Sequence, residues 1–303
     1  MTPVRKSVVI LGDVMTDISM RVQDPLHLGS DTAANCTVTP GGSGANQAMW
    51  LATTGRVKVH FVGCVGTDLF GRAHRQSLAA AGIATHLASD PTRGTGMVMV
   101  LVDATGERTM VTDRGANAGL TLEGLPQEIF RRDSWFHLSG YTLLAPETRP
   151  VALECLALAR RRGMRVSVDP SSTGPLAEAG PENFLEWTEG AELLFPNLEE
   201  GRMLSGETDE EAIARALSSR YGGVALKTGP RGALWAAPGQ PVISVSADAE
   251  AHVDSTGAGD AFAAGFLSSW LSGESPGEAL AEGVRLGSAA VSATGGRPLG
   301  ERW

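Results

Sequence analysis

Short runs rich in β-branched residues alternate with longer segments of helical period along most of the chain. The run "SVVILGD" (7–13) predicts a buried strand, and "GANQAMWLATTG" (44–55) predicts a helix that ends at Gly55. The same patterns predict further strands at 59–66, 134–140, 164–170, 191–197 and 223–229, and helices at 70–82, 147–163 and 209–220. This alternation predicts an α/β fold with a mostly parallel sheet and helices on both faces.

Two segments interrupt the alternation. Residues 16–40 are polar and turn-rich, and residues 94–113 have two strand-like runs around "DATGE", which is typical of a hairpin. Together they predict a small second sheet at the edge of a single domain that spans residues 1–303. Its position suits a lid over the carboxyl ends of the main strands, where open α/β sheets bind ligands.

Composition narrows the function classes. Apolar residues make up 42% of the chain and charged residues 19%, with a formal net charge of −9. No basic cluster is large enough to indicate a nucleic-acid partner, and no apolar run approaches the ~20 residues that span a bilayer. The three cysteines are widely spaced without a CxxC pair, so each is interpreted as a small buried or half-buried apolar residue. We therefore expect a cytoplasmic protein with a small-molecule substrate.

Several common catalytic motifs are missing from the sequence. It contains no GxxxxGK[ST] P-loop, no GxGxxG in a first βα turn and no GxSxG elbow. The usual sequence grounds for a P-loop ATPase, a dinucleotide dehydrogenase or a serine hydrolase are therefore absent.

The stretch "VDSTGAGDAFAAGF" (253–266) places an acid at a glycine-rich helix start. Backbone N–H groups at a helix start have no intrahelical partners, and Gly257 and Gly259 let an anion approach them. Asp260 is either a proton acceptor for a group that attacks a bound phosphate or a first-turn carboxylate that stabilises the helix dipole. The helix behind it is predicted to be amphipathic, with an apolar face formed by Phe262, Phe266, Leu267, Trp270 and Leu271.

Two other motifs place polar side chains where a ligand would bind. In "PGGSGANQA" (40–48), Asn46 lies in the first turn of a helix, where its amide either binds hydroxyls or caps the helix. In "GDVMTD" (12–17), Asp13 and Asp17 follow the first strand. These carboxylates either accept hydrogen bonds from vicinal sugar hydroxyls or serve as turn residues.

The segment "PNLEE" (196–200) allows two interpretations that are compatible with each other. Asn197 and Glu200 either orient water on a hydrated Mg²⁺ or form a capping box. The later segment "LKTGPRGALW" (226–235) predicts a strand, a turn and a second strand.

In this order, the motifs resemble the ribokinase-like (PfkB) family of sugar and nucleoside kinases. "GGSGANQA" with "VHFVGCVGTDLFG" is similar to the N-terminal family signature, and "DSTGAGDAFAAGF" to the C-terminal one. The resemblance implies a three-layer α/β sandwich with a β-sheet lid that often forms a homodimer contact. It also implies MgATP as phosphoryl donor and a hydroxymethyl group as acceptor.

The resemblance also implies roles for individual residues. Asp260 is expected to be the catalytic base, beside an anion hole formed by Gly257, Ala258 and Gly259. The candidate substrate-binding residues are Asp13, Asp17, Gly42, Ser43, Asn46, Arg108 and Arg114. The candidate nucleotide-binding residues are Asn197, Glu200, Lys227, Thr228, Gly229 and Gly232, with Glu200 tied to Mg²⁺ through water. Asp254 and Thr256 match part of a potassium site.

Departures from the ribokinase pattern affect the predicted substrate. Met15 and Ser43 replace residues that ribokinases usually carry as Asn and Lys, and "HLSGYTLL" offers only Ser139, Gly140 and Tyr141 where ribokinases have a Glu. The lid segment contributes Arg108, Arg114 and Asn117, which suit an acidic or highly hydroxylated acceptor.

The sequence therefore predicts an ATP-dependent kinase that phosphorylates a primary hydroxyl of a sugar or sugar-like molecule, and the departures weigh against ribose. A nucleoside kinase of the adenosine or pseudouridine type, a keto-deoxy sugar acid kinase and a phosphosugar kinase remain alternatives. A non-enzymatic sugar sensor that kept the fold is a further alternative.

Overall fold

The computed structural model describes residues 6–105, 107–247, 254–292 and 294–298. Its strands are β1 (Ser7–Leu11), β2 (Met15–Val22), β3 (Ala34–Gly41), β4 (Lys58–Gly66), β5 (Ala84–Asp90), β6 (Gly96–Val102), β7 (Arg108–Asp113), β8 (Ser134–Ser139), β9 (Arg165–Asp169), β10 (Leu193–Leu194), β11 (Gly223–Lys227), β12 (Ala233–Ala236) and β13 (Ile243–Val245). Its α-helices are α1 (Ser43–Thr53), α2 (Leu69–Ala80), α3 (Gly140–Leu144), α4 (Arg149–Arg161), α5 (Thr173–Ala179), α6 (Pro181–Trp187), α7 (Leu198–Ser205), α8 (Glu210–Ser218), α9 (Ala258–Ser272) and α10 (Pro276–Val291).

Nine strands form the main sheet in the order β13-β12-β11-β10-β9-β8-β1-β4-β5. The pairs from β11 to β5 are parallel, whereas β12 and β13 are added antiparallel at one edge. The antiparallel pair of β11 and β12 confirms the hairpin predicted at 226–235. The predicted α/β architecture is confirmed.

Helices cover both faces of this sheet because successive strand side chains point to opposite sides. In β1, Val8 and Ile10 belong to one buried cluster, which they share with α1, α9 and α10. Val9 and Leu11 belong to a second cluster, which contains residues of α4, α6 and α8. The sheet is thus the middle layer of three. Because both of its faces are buried, its strands are continuous apolar runs in the sequence.

A separate four-stranded sheet has the order β3-β2-β6-β7. It confirms the second sheet predicted from 16–40 and 94–113, including the antiparallel hairpin of β6 and β7. Asp17 on β2 pairs with Thr39 on β3 and with Val98 on β6. Cys36 on β3 is exposed, so the prediction that each cysteine is buried or half-buried was wrong for this one, whereas Cys64 and Cys155 are buried.

Helix α9 differs from its prediction. It is buried on nearly all sides rather than amphipathic, because it packs between α1 and α10. The strand predicted at 191–197 is reduced to Leu193–Leu194. Strand β5 and helices α5, α6 and α10 had no counterpart in the sequence prediction. Within the described ranges, no helix combines the length and apolarity needed to cross a bilayer.

Candidate active site

A cavity of about 1040 Å³ lies between the carboxyl ends of the main strands, the start of α9 and one face of the small sheet. Asp13 follows β1, Asp169 ends β9, Asn197 follows β10 and Lys227 ends β11, so the parallel order brings these side chains to one edge. The cavity is lined by these predicted residues: Asp13, Asp17, Gly42, Ser43, Asn46, Arg114, Asn197, Glu200, Lys227, Gly229, Gly232, Asp254, Thr256, Gly257, Ala258, Gly259 and Asp260.

Asp260 lies in the first turn of α9 and contacts the N-terminal end of α1. Its Oδ1 accepts a hydrogen bond from Ser43 Oγ at 2.6 Å, and its Oδ2 accepts one from Asn46 Nδ2 at 3.1 Å. Burial raises the pKa of this carboxyl from 3.8 to about 8, although both hydrogen bonds oppose the shift. Two motifs more than 200 residues apart in sequence therefore meet at one carboxylate of strongly raised pKa.

The start of α9 has the form of an anion site. Gly257 has a φ of 75°, and no side chain among the described residues caps the helix there. A Cβ atom on Gly259 would lie 3.3 Å from Lys227 Nζ, so the helix N-terminus and an ammonium group face the same space. Both favour negative charge, which is the requirement for holding a phosphate.

Lys227 is held by a carboxylate that the sequence interpretation missed. Lys227 Nζ lies 2.9 Å from Asp169 Oδ2, and the Asp169 side chain is only 3% exposed. Asp169 and Glu200 together raise the pKa of Lys227 against the effect of burial. The position of Asp169 at the carboxyl end of a predicted strand was the signal that would have identified it.

Asn197 and Glu200 form both bonds of a capping box at the start of α7. Glu200 N donates to Asn197 Oδ1 at 2.9 Å, and Asn197 N donates to Glu200 Oε2 at 2.8 Å. Burial raises the pKa of Glu200 to about 7, while Lys227 opposes the shift. The capping interpretation is confirmed, and the Glu200 carboxylate nevertheless remains on the cavity wall.

Asp13 and Asp17 line the cavity at the root of the small sheet, where β2 begins and β3 ends. Asp13 Oδ1 accepts a hydrogen bond from Gly44 N at 3.1 Å. Burial, with the nearby charge of Asp13, raises the pKa of Asp17 to about 6. Gly42 has a φ of 90°, and a Cβ atom there would lie 2.7 Å from Asp13 O, so only glycine fits this turn.

Arg114 lines the same cavity as Asp13 and Asp17. Its Nη2 donates to Tyr141 O at 3.2 Å, and its buried Nε has no hydrogen-bond partner within the described part of the chain. Asn117, by contrast, uses its side chain to bond both backbone groups of Val14, and it does not line this cavity. Arg108 begins β7, but its side chain lies outside the described part of the structure.

In the turn after β11, Gly229 and Gly232 line the cavity but Thr228 does not. Thr228 is buried, and its backbone N donates to Gly232 O at 2.9 Å. Asp254 closes a second turn: its Oδ1 accepts from Thr256 N and Oγ1, and its Oδ2 accepts from Gly295 N.

Over the described ranges, no group of three or more His, Cys, Asp or Glu side chains is arranged to hold a metal ion. A single carboxylate on the cavity wall could still hold a cation whose other ligands come from water, a substrate or backbone carbonyls.

Comparison with known proteins identifies the family. The profile of the pfkB family of carbohydrate kinases matches residues 5–301. The chain is 28% identical to ribokinase of Haemophilus influenzae over 297 residues, which cover 95% of this chain and 92% of that protein. It is 32% identical to fructokinase of Escherichia coli over 236 residues, which cover 75% and 76% of the two chains. The structure of Arabidopsis thaliana ribokinase complexed with ribose and ATP superposes with a TM-score of 0.81 at 24% identity, covering 97% and 96%.

The chain belongs to the pfkB family of carbohydrate kinases. The resemblance inferred from the motifs is confirmed, and with it the reaction class of ATP-dependent carbohydrate kinases.

Proposed function

We propose that the protein transfers the γ-phosphoryl group of ATP to a primary hydroxyl of a sugar. The observation that carries this proposal is the position of Asp260, a carboxylate of raised pKa beside an anion site and in contact with the Asn46 amide. A base with a pKa near the working pH suits proton removal from an attacking hydroxyl.

The acceptor occupies the end of the cavity below the small sheet. Asp13, Asp17 and Asn46 bind its hydroxyls, and Asp260 removes the proton from the one that attacks. Arg114, whose Nε has no partner among the described residues, meets an electron-rich group of the acceptor. Acceptors with several hydroxyls satisfy these buried polar groups, whereas an apolar molecule leaves them unpaired at considerable cost.

The nucleotide occupies the other end of the cavity. The amides of Gly257, Ala258 and Gly259 stabilise the charge on the transferring group, and Lys227 contributes its ammonium group from the opposite wall. Asn197 and Glu200 face the phosphates, and Glu200 would hold Mg²⁺ through water. Mg²⁺ would supply positive charge that offsets the negative charge of the phosphates. The turn at Gly229 and Gly232 borders the nucleotide.

A monovalent cation suits the turn at Asp254. Both Asp254 oxygens accept hydrogen bonds, from Thr256 and Gly295, which fix this side chain beside the start of α9. K⁺ bound there through this carboxylate and backbone carbonyls would add positive charge near the anion site.

The small sheet covers the acceptor end as a lid and also provides a homodimer contact. Exposed apolar side chains on this sheet support the contact: Met99 is 42% and Val111 is 64% exposed, and neither lines the cavity. Closure of the lid excludes water and limits hydrolysis of ATP. Dependence on ATP agrees with the cytoplasmic location expected from the sequence.

A coupled assay of ADP release tests the proposed function. Pentoses, hexoses, keto-deoxy sugar acids, sugar phosphates and nucleosides are offered as acceptors, each with ATP and Mg²⁺ and each with and without K⁺. We expect ADP release that depends on one free sugar. Tight binding of a sugar without ADP release would instead support the sensor alternative, and turnover confined to nucleosides would replace the sugar assignment.

A further inference from the structure

The last described segment of the chain, here called the C-terminal loop (294–298), passes along the active site. A Cβ atom on Gly257 would lie 2.4 Å from Gly296 Cα, so the loop packs directly on the start of α9. A Cβ atom on Gly296 would lie 2.3 Å from Asn46 Nδ2, and Gly296 O accepts a hydrogen bond from Trp50 Nε1 at 2.9 Å. The loop is therefore fixed against the anion site and against Asn46.

Arg297 extends this attachment into the protein. Arg297 is only 5% exposed, and its Nη1 donates to Ser77 Oγ on α2 at 3.1 Å. Its Nη2 lies 3.0 Å from His74 Nδ1 and donates to Gly41 O at 3.5 Å. A guanidinium group has no acceptor, so His74 Nδ1 must be the unprotonated ring nitrogen.

The unprotonated Nδ1 of His74 also determines the direction of the hydrogen bond between His74 and Thr16. Burial and the charge of Arg297 lower the pKa of His74 to about 2, so the ring is neutral and carries its proton on Nε2. Nε2 therefore donates to Thr16 Oγ1, which lies 3.1 Å away. Arg297 thus reaches both strands at the root of the small sheet, β3 through Gly41 and β2 through His74 and Thr16.

Asp17 lies next to Gly41 and Thr16, the two residues of the small sheet that Arg297 reaches. It follows Thr16, and its carboxylate packs on Gly41, where a Cβ atom would lie 2.4 Å from Asp17 Oδ2. Burial, Asp13 and Asp254 all raise the pKa of Asp17, whereas Arg297 lowers it. Among the described charged groups that shift the pKa of this carboxyl, Arg297 is the cation.

We propose that Arg297 is a positioning residue that fixes the root of the small sheet relative to the anion site and holds Asp17 in place for the acceptor. The proposal rests on the proposed function insofar as Asp17 binds the acceptor's hydroxyls. Arg297 does not line the cavity, so it acts through Gly41, His74 and the electrostatic field at Asp17. Its loss weakens acceptor binding and leaves the nucleotide end unchanged.

Steady-state kinetics of four variants test the proposal. Arg297→Met is expected to raise the KM of the acceptor by about tenfold or more, because charge-assisted hydrogen bonds are lost, while the KM of ATP stays within about twofold. Thr16→Val, which removes only the bond to His74, raises the acceptor KM less. Arg297→Lys keeps the charge and recovers part of the loss. Arg285→Met, which removes an exposed ion pair with Glu282 on α10, is the matched control and leaves both constants unchanged.

A second readout does not depend on turnover. The ¹³C-carboxyl resonance of Asp17, assigned with Asp17→Asn, is titrated in the free wild-type protein and in the variants. The midpoint is expected to rise in Arg297→Met and to stay near the wild-type value in Arg297→Lys and Thr16→Val. If Arg297→Met does not fold, a raised acceptor KM in Thr16→Val and Arg297→Lys supports the proposal, and unchanged constants in both overturn it.

Failure of the proposed function and failure of the positioning role of Arg297 give different results. A wild-type protein that phosphorylates no acceptor would refute the proposed function, and the Asp17 titration would still decide the role of Arg297. An unchanged midpoint in folded Arg297→Met, or equal rises in the acceptor and ATP KM values, would overturn the positioning role even in an active kinase.

Discussion

Asp260→Asn separates the two interpretations that the sequence leaves open for this residue. The substitution removes the proton-accepting group and keeps the shape of the side chain. The new amide can keep its oxygen toward Ser43 Oγ. Its NH₂ group can donate to Asn46 Oδ1 once the Asn46 amide flips, and that oxygen is buried without a hydrogen-bond partner among the described residues. Local structure should therefore survive.

The expected effects on rate and stability have opposite signs. Loss of general-base assistance lowers kcat by about 10²–10⁴-fold, with ATP affinity largely retained. The pKa of Asp260 is raised from 3.8 to about 8 in the folded state, so its ionised form opposes folding increasingly as the pH rises through this interval. At pH 8 the neutral amide should therefore raise the Tm, by about 2–4 °C for each kcal/mol gained.

The assay combines ADP release with thermal unfolding at pH 8. Asp209→Asn is the control, because Asp209 caps α8, does not line the cavity, and Asn is an equally good cap. If Asp260 only stabilised the helix dipole, Asp260→Asn would keep near-normal turnover and lower the Tm. That pair of results would refute the base assignment.

Three further predictions concern the groups around Asp260. Because the base must be ionised, kcat/KM for the acceptor should rise with pH and level off above about pH 8, measured with saturating ATP; a flat profile would contradict a base of this pKa. Lys227→Met should lower stability by about 3–5 kcal/mol, because it leaves Asp169 buried and unpaired, and should raise the KM of ATP. Adding Asp169→Asn should restore stability in denaturant titrations but not ATP affinity, and restoration of both would argue against a nucleotide role for Lys227. Gly257→Ala should be more destabilising than Gly239→Ala, since both glycines have positive φ but only Gly239 has open space around it; equal Tm losses would contradict the tight contact at Gly257.

The sequence anticipated features that depend on local pattern. Alternating periodicity identified most of the main sheet, and turn residues at "DATGE" identified the hairpin of β6 and β7. Asp13 and Asn197 were found because each follows a strand, and parallel strands bring their carboxyl ends to one edge. Lys227 was named only through the family resemblance. The roles assigned to these side chains remain predictions.

Features that depend on long-range packing were missed. Helix α9 looked amphipathic because its large apolar residues share one face, yet its alanine and glycine positions are buried against α1 and α10. Asp169 belongs to none of the motifs recognised in the sequence, and its role is to form an ion pair with the Lys227 ammonium group. Arg297 has no local signal at all, since its contacts with Gly41 and His74 are more than 200 residues away in sequence.

The most direct test of the central claim is the identity of the product. The sugar that supports ADP release is incubated with ATP, Mg²⁺ and the protein, and the mixture is examined by proton-coupled ³¹P NMR. Transfer to a primary hydroxyl predicts one phosphomonoester signal split by the two protons of a CH₂–O–P group, formed in equal amount to ADP. ADP and inorganic phosphate without that ester, or an ester coupled to a single CH proton, would contradict the account.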